Sequence, residues 1–327
     1  MEPPKLRVAV YGTNGHQVIG QVASHPDAEL VAVAGVAPEA LPDGGKGVRL
    51  HATLEDLLRD SRVDLVSLCS PRRADQARDA VCCLNAGKHV YAEKPCAMTE
   101  RELDAVLRAV EHTGLRFREM AGTVCDTPYR QMREVVQSGR IGTVVQVHAQ
   151  KSYPWHDARP EDEAVDGGLL MQVGIYAARS VEHIACRRIA SMHAVETTLG
   201  NPRPAGACRM AAAFLMELDN GGIASAICNY LNPIQPQCWG YEILRIFGTA
   251  GAVESNADGN VARLLLTGQD PQQLDASGPS PSHLDLYLAS LRGRGEMPLS
   301  LEDEVNPTRW VIRARDAARQ AAAVRTQ

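Results

Sequence analysis

Lysine is scarce in this chain. Lys5, Lys46, Lys88, Lys94 and Lys151 stand against 29 arginines. Arginine therefore fills most surface roles, and a lysine at a special place becomes a candidate for chemistry that excludes arginine. Long apolar runs are missing as well: none reaches the roughly 18 to 20 residues that a membrane helix needs. The start, Met1-Glu-Pro-Pro-Lys5, runs straight into a strand pattern rather than a secretion signal, so a cytoplasmic protein is expected. No acidic or basic block accompanies the net charge of -5, which argues against a nucleic-acid or anionic-membrane partner. Nine cysteines include no CxxC pair and no Cys/His cluster with ligand spacing. Several (Cys69, Cys82, Cys83, Cys186) sit inside apolar runs, so reduced, mostly buried thiols and no metal are expected. There is no internal repeat or low-complexity segment.

What is present is an ordinary globular composition, 45% hydrophobic and 22% charged, in 327 residues, a length that suits two cores better than one. Residues 6 to 120 alternate between strand and helix patterns. Leu6–Gly12, Glu29–Val36, Val63–Ser70, His89–Ala92 and Leu115–Met120 read as strands. Helical stretches follow Gly12 through Ala23, start at the capping boxes of Thr53 and Thr99, and span Ala74–Ala86 with Gly87 as stop. Strands that are apolar throughout are buried on both faces, and strand–helix alternation at this pitch is the doubly wound α/β pattern. The expectation is an N-terminal Rossmann domain with a parallel sheet over residues 1–122.

Beyond residue 123 the pattern changes. Pro128–Ser138 reads as a helix, and Thr143–Lys151 alternates like a half-exposed strand. Ala207–Leu218 and Ile223–Tyr230 flank the hairpin signal Asp219-Asn-Gly-Gly222. Tyr241–Phe247 and Val261–Leu266 add strands, and Glu302–Val324 closes as a helix. Residues 123–327 are thus expected to form an α+β domain with an open, mostly antiparallel sheet.

Two motifs carry chemistry. Gly12-Thr-Asn-Gly15-His-Gln17 lies where the first strand turns, and glycine lets backbone N–H groups approach a phosphate pair. The strict fingerprint would place glycines at 12, 14 and 17; here they fall at 12, 15 and 20, with Asn14 tolerant of the left-handed conformation. A tight turn without ligand is the plainer alternative. At the end of the second strand, Gly35-Val36-Ala37 offers neither an acid for a ribose nor a cation for a 2'-phosphate, so NAD or NADP stays open, with NAD favoured. The other motif is Glu93-Lys94-Pro95 at the carboxyl end of a parallel strand, the ligand-binding edge of such a sheet. Proline restricts Lys94 to an extended backbone.

With these residues in place the chain resembles the Gfo/Idh/MocA oxidoreductases, the family of inositol dehydrogenases and glucose-fructose oxidoreductase. The resemblance covers nearly the whole chain: the glycine loop, Cys69-Ser-Pro71, Glu93-Lys94-Pro95 and Ser138-Gly-Arg-Ile-Gly142 carry it. It continues through Gly167-Gly-Leu-Leu170, Ile246-Phe-Gly-Thr-Ala-Gly251 and Ser300-Leu-Glu-Asp303. It implies NAD(P) held by Gly12, Thr13, Asn14, Gly15, His16, Gln17, Cys69, Ser70, Pro71, Glu93 and Lys94. It also implies a lysine that holds the reacting hydroxyl of a sugar or polyol, and a homodimer or homotetramer formed through the C-terminal sheet.

One stretch departs from the family pattern. Members carry Asp-x-Gly-x-His-x-x-Asp where this chain reads Gln172-Val-Gly174-Ile-Tyr176-Ala-Ala-Arg179; only Gly174 matches. Alcohol oxidation requires a base, and tyrosine, with a free pKa of about 10, serves only beside a cation. Lys94 is a candidate for that cation, and Tyr176 is expected either to shuttle the proton, as tyrosine does in some relatives, or to be a core tyrosine. Arg179 reads as an outer salt bridge ahead of a carboxylate ligand, and His183 as structural. Tyr153, Trp155, His156 and Gln172 join Lys94 and Tyr176 as candidate substrate contacts. Three readings follow: a dehydrogenase acting on a sugar, cyclic polyol or related hydroxy compound; a redox-neutral enzyme that recycles a bound dinucleotide; and a non-catalytic dinucleotide-binding sensor or partner protein.

Overall fold

The structure, a computed structural model, describes residues 4–234, 239–255, 261–278 and 280–325. The beginning of the N-terminal stretch, Met1-Glu-Pro3, and Cys238 lie outside them; the other eight cysteines are free thiols. No helix among the described residues is long and apolar enough to cross a membrane. The chain divides into two compact units.

The first unit comprises Met1–Ala121, Ala164–Asp166 and His283–Leu301. Its strands are β1 (Leu6–Tyr11), β2 (Ala28–Ala34), β3 (Arg49–His51), β4 (Leu65–Leu68), β5 (His89–Ala92) and β6 (Phe117–Glu119), all parallel, in the order β3-β2-β1-β4-β5-β6. This is the doubly wound arrangement, in which the strand order reverses between β1 and β4 and opens a ligand crevice at their carboxyl ends. Val8, Ala9, Val10, Leu65, Val66 and Leu68 are fully buried, which is why these strands read as apolar without alternation.

Helices α1 (Ile19–Ser24), α2 (Leu54–Leu58), α3 (Gln76–Asn85) and α4 (Glu100–Thr113) cross between the strands. At Thr99 the capping box is complete: Glu102 N donates to Thr99 Oγ1 at 3.2 Å and Thr99 N donates to Glu102 Oε2 at 2.9 Å. At Thr53 only half of it forms. The shorter Asp56 side chain accepts from the Thr53 hydroxyl at 3.0 Å, while Asp56 N donates to Thr53 Oγ1 at 3.1 Å. Helix α1 begins only at Ile19, later than the residues after Gly12 suggest, because residues 13 to 18 are held as a loop by side chains described below.

The second unit comprises Gly122–Glu163, Gly167–Ser282 and Glu302–Gln327. Helix α5 (Tyr129–Gln137) leads into β7 (Val144–Ser152); after α6 (Glu163–Asp166), which from Ala164 onward belongs to the first unit, come α7 (Gly168–Gln172), α8 (Ile175–Arg179) and a π-turn over Ser180–Ile184. The sheet is completed by β8 (Ile189–Thr197), β9 (Ala211–Leu218), β10 (Ile223–Asn229), β11 (Tyr241–Gly248), β12 (Gly251–Ser255), β13 (Ala262–Leu266) and β14 (Gln272–Gln273). Its order is β14-β13-β12-β11-β7-β10-β9-β8, antiparallel throughout except for the parallel pair β7–β10. Helix α9 (His283–Leu291) returns to the first unit, where Tyr287 donates to the carbonyls of Val90 and Arg116 at 3.1 and 2.8 Å. Helix α10 (Leu301–Arg325) belongs to the second unit from Glu302 onward.

Along β9 and β10 exposure alternates strictly, so Met216, Phe214, Ala224 and Ala226 enter the core while Leu215, Ile223 and Ile227 face outward. Gly174 breaks the path between α7 and α8. A Cβ there would lie 2.4 Å from Leu170 O and 2.5 Å from the Phe214 ring, so this glycine serves packing.

Candidate active site

In the first unit the ends of β1, β4 and β5 converge on the glycine loop. Gly12 N donates to Ala34 O at the end of β2 and Cys69 N, just past β4, donates to Tyr11 O, both at 2.9 Å, so the β1 end is tied to its neighbours on both sides. Gly12 has φ +69°, and a Cβ on it would lie 2.1 Å from Cys69 O. Gly15 has φ +128°, and a Cβ there would lie 2.5 Å from Glu93 Cγ. Each glycine is required by a neighbouring backbone or carboxylate at close range.

Glu93 is fully buried beneath this loop. One of its oxygens accepts from His16 N and lies 2.9 Å from His16 Nδ1, and the other accepts from Lys94 N at 2.9 Å. Burial by itself pushes the Glu93 carboxyl up. The His16 hydrogen bond and the charges of Lys94, His16 and Arg73 outweigh it and hold the group at about 2. Glu93 is therefore an ionised anchor for the loop, and Lys94, only 4% exposed, sits beside it.

Three expected cofactor contacts are turned inward. The Gln17 amide donates to Tyr11 O at 3.0 Å and Gly12 O at 2.7 Å and accepts from Ser67 Oγ at 3.0 Å, so it shapes the loop. The Ser70 hydroxyl donates to Asp79 Oδ2 at 2.8 Å, and Ser70 N donates to Gln76 Oε1 at 2.9 Å. Cys69 is fully buried, and burial keeps its thiol protonated. Thr13, Gly15 and His16 are exposed at the loop rim with Pro71, and the Asn14 amide donates to Pro71 O at 3.2 Å and to Val165 O.

Arg73 lies behind the loop, and its residue type gave no sequence signal beyond its place two residues after Pro71. It is 0% exposed and donates through Nη2 to Asn14 O at 2.7 Å. Its Nε and Nη1 are buried without a hydrogen-bond partner among the described residues. Burial pushes its pKa down against the pull of Glu93. A buried cation with two unpaired donors is costly in isolation and fits an anionic neighbour. The pyrophosphate of a dinucleotide on the adjoining loop is such a group, so the residues present suit that cofactor.

The second unit carries its own cluster. Lys151 near the end of β7 and Glu242 on β11 are opposite each other in the antiparallel register and form an ion pair. The Lys151 ammonium lies 3.7 Å from the centroid of the Tyr176 ring on α8 and 5.4 Å from that of Tyr153. Tyr129 on α5 donates to Glu242 Oε2 at 2.7 Å. The hydroxyls of Tyr153 and Tyr176 share a hydrogen bond; burial and the Glu242 charge push Tyr153 up, against the lowering effect of that bond. Burial, with Glu242, does the same to Tyr129. Of these, Lys151, Glu242, Tyr129 and Tyr176 line a small cavity of about 20 Å³, room for about one water molecule.

Of the expected substrate contacts, this cluster contains Tyr153 and Tyr176. Trp155 packs under the Arg203 guanidinium, 5.4 Å from its ring, and His156 lies 5.9 Å from the Trp239 ring. Gln172 ends α7 and is half-buried. Arg179 is buried, with its guanidinium carbon 5.8 Å from the Tyr176 ring centroid. Lys151 thus stands closer to the Tyr176 ring than Arg179 does. Sequence reading left out Lys151, Glu242 and Tyr129 as site residues; the scarcity of lysine was the one available signal for the first.

Comparison with known proteins accords with both architectures. Residues 6–120 match the oxidoreductase family with an NAD-binding Rossmann fold, and residues 129–254 match a GFO/IDH/MocA C-terminal domain. Inositol 2-dehydrogenase 2 of Saccharopolyspora erythraea is 32% identical over 198 residues, which is 58% of this chain and 52% of that protein. The matched stretch thus spans about half the length of that relative. Among solved structures, the WlbA dehydrogenase of Bordetella pertussis, in complex with NADH and UDP-GlcNAcA, superposes with a TM-score of 0.82 at 20% identity, covering 97% of each chain. The aldose-aldose oxidoreductase of Caulobacter crescentus, complexed with glycerol, gives a TM-score of 0.80 at 21% identity over 97% of this chain and 98% of that one. With family matches on both halves, a parallel sheet that places the glycine loop at its topological switch, and a second, mostly antiparallel sheet, the chain belongs to the Gfo/Idh/MocA family of NAD-binding oxidoreductases.

Proposed function

We propose that this chain is an NAD(P)-dependent dehydrogenase or reductase acting on a CH–OH group of a sugar, cyclic polyol or related hydroxy compound. Tyr176 is the observation that carries this reading. Its phenol is not sealed in the core: it lines a small cavity, with its hydroxyl bonded to that of Tyr153. The dinucleotide supplies the hydride acceptor when bound. Gly12 and Gly15 let the loop backbone approach it, exposed Thr13 and His16 edge it, and the unpaired Arg73 donors receive its negative charge. Gln17, Cys69 and Ser70 hold that loop rather than touch the ligand. Lys94 donates to the reacting oxygen and favours its developing negative charge. Tyr176 takes the hydroxyl proton and passes it towards Tyr153 and solvent. Tyr153 contacts the substrate, with Trp155, His156 and Gln172 further along the same loop and helix.

Tyr176→Phe removes only the hydroxyl. The expected result is a fall in kcat of roughly 10²- to 10⁴-fold on whichever inositol or aldose the wild-type chain oxidises, with the dinucleotide Kd unchanged. Wild-type turnover by this variant would remove the mechanism.

We further propose a homodimer or homotetramer formed through the open face of the second sheet. Leu215, Ile223, Val195 and Ile227 are 59, 47, 57 and 39% exposed and lie on neighbouring strands of that face. Contiguous apolar surface of this kind marks an interface. Leu215→Glu is expected to dissociate the oligomer in analytical ultracentrifugation; a wild-type chain that sediments as a monomer at micromolar concentration refutes the proposal.

A further inference from the structure

We propose that Lys151, clamped by Glu242, is the positioning residue that sets the acidity of the Tyr176 phenol. The inference rests on the reading of Tyr176 as the proton-transfer group, and it gives that group the cation it needs from within the same unit.

Three observations support it. The ammonium stands over the face of the Tyr176 ring, 3.7 Å from the centroid. A cation at this distance attracts a neutral ring weakly through the quadrupole. Once the phenol ionises, negative charge spreads into the ring, and the interaction becomes one between opposite full charges. The phenolate is therefore favoured over the phenol by the same contact. Glu242, meanwhile, fixes the lysine: the two residues are register partners across β7 and β11, and the carboxylate also accepts from Tyr129 at 2.7 Å. A long, rotamer-rich side chain is thereby held in one place. Finally, Lys151 is one of only five lysines in a chain that uses arginine 29 times. A compact ammonium can stand over one ring while paired to a carboxylate, where a planar guanidinium would stack.

Among the described residues, charged and titratable groups near Tyr176 come from five elements. Helix α8 itself contributes Arg179, at 5.8 Å from the ring centroid. Strand β7 contributes Lys151 and, just beyond it, Tyr153; β11 contributes Glu242; α5 contributes Tyr129. Strand β10 contributes Cys228, whose thiol burial keeps protonated. Helix α7 and the π-turn after α8 place no ionisable side chain among the described residues that line the cavity, where the turn contributes Ser180. Of these groups Lys151 favours the phenolate most directly, and Glu242 opposes it.

The test is a pH titration of the chain carrying tyrosine labelled with ¹³C at Cζ, without substrate, with the Tyr176 resonance assigned by its loss in Tyr176→Phe. Lys151→Met is expected to raise the Tyr176 titration midpoint by about one pH unit or more, a tenfold loss of acidity. Lys151→Arg, which keeps the charge but not the compact ammonium, is expected to restore only part of the shift. Glu242→Gln, whose amide oxygen can still accept from the ammonium, removes the opposing charge and is expected to lower the midpoint. A purely structural Lys151 predicts that Lys151→Met and Glu242→Gln move the midpoint in the same direction, or not at all; either result overturns the proposal. Because no turnover is measured, these outcomes are separate from the role of Tyr176 in catalysis. Opposite shifts together with an active Tyr176→Phe chain would leave the lysine–tyrosine coupling standing and remove the mechanism proposed above.

Discussion

Lys94→Met is expected to abolish turnover, by about 10³-fold or more, while dinucleotide affinity stays within about twofold of wild type. Methionine matches the length of the lysine stem and removes its charge and donors. The backbone position survives, because Lys94 N is held by Glu93 Oε1 at 2.9 Å. The Glu93 carboxyl loses one of the charges that oppose its burial, but the His16 hydrogen bond, the stronger of those influences, remains. The loop over Glu93 should therefore keep its shape and the cofactor its seat. Paired measurements decide the matter: kcat on the preferred substrate, and dinucleotide Kd by quenching of protein fluorescence. Retained turnover excludes Lys94 from the chemistry; loss of dinucleotide binding would place it in the cofactor site instead.

Gly12→Ala is expected to be the most damaging single-methyl change in the first unit. The new Cβ would lie 2.1 Å from Cys69 O and 3.3 Å from Pro71 Cδ, at a φ of +69° that side chains rarely adopt. Relief requires the β1 and β4 ends to part, against the bond from Cys69 N to Tyr11 O. Left-handed strain and overpacking each cost on the order of 1–3 kcal/mol, so a loss of about 3 kcal/mol or more is expected in urea unfolding. Dinucleotide affinity should fall about 100-fold or beyond, since the loop that receives the phosphates moves with the strand ends. Gly20→Ala is the control: no atom lies within 4 Å of its Cβ and it sits in α1, so alanine should be neutral or stabilising by up to about 1 kcal/mol. Equal effects of the two changes would mean that the β1–β4 approach is not what Gly12 protects.

The elements that sequence analysis recovered are those in which one period dominates. Strands β1, β4 and β5 are buried on both faces and leave an unbroken apolar run, while Thr99-x-x-Glu102 announces α4 with both halves of its cap in place. The strands missed are short or polar. Strand β3 has three residues at the sheet edge, two of them exposed, and β8 interrupts its apolar residues with exposed Ala190 and His193, so neither leaves an apolar run. The late start of α1 was equally hidden, since Gln17 and Glu93 hold residues 13 to 18 through bonds to partners up to 77 positions away.

The candidate sites divide along the same line. Gly12, Glu93 and Lys94 were legible because each is tied to a strand end that the apolar pattern locates, and a parallel sheet presents all of its strand ends on one edge. Lys151 and Glu242 are 91 positions apart, and nothing local to either announces the other. Only the antiparallel register of β7 with β11 sets them opposite each other, and only the packing of α8 on that sheet brings the Tyr176 ring under the ammonium. Thus the amino-acid order alone determined the two architectures, the glycine loop and the lysine beside it, since these follow from periodicity and backbone freedom. The placing of Lys151 over the Tyr176 ring was decided by tertiary structure alone, because charge interactions depend on distance in space and not on separation along the chain.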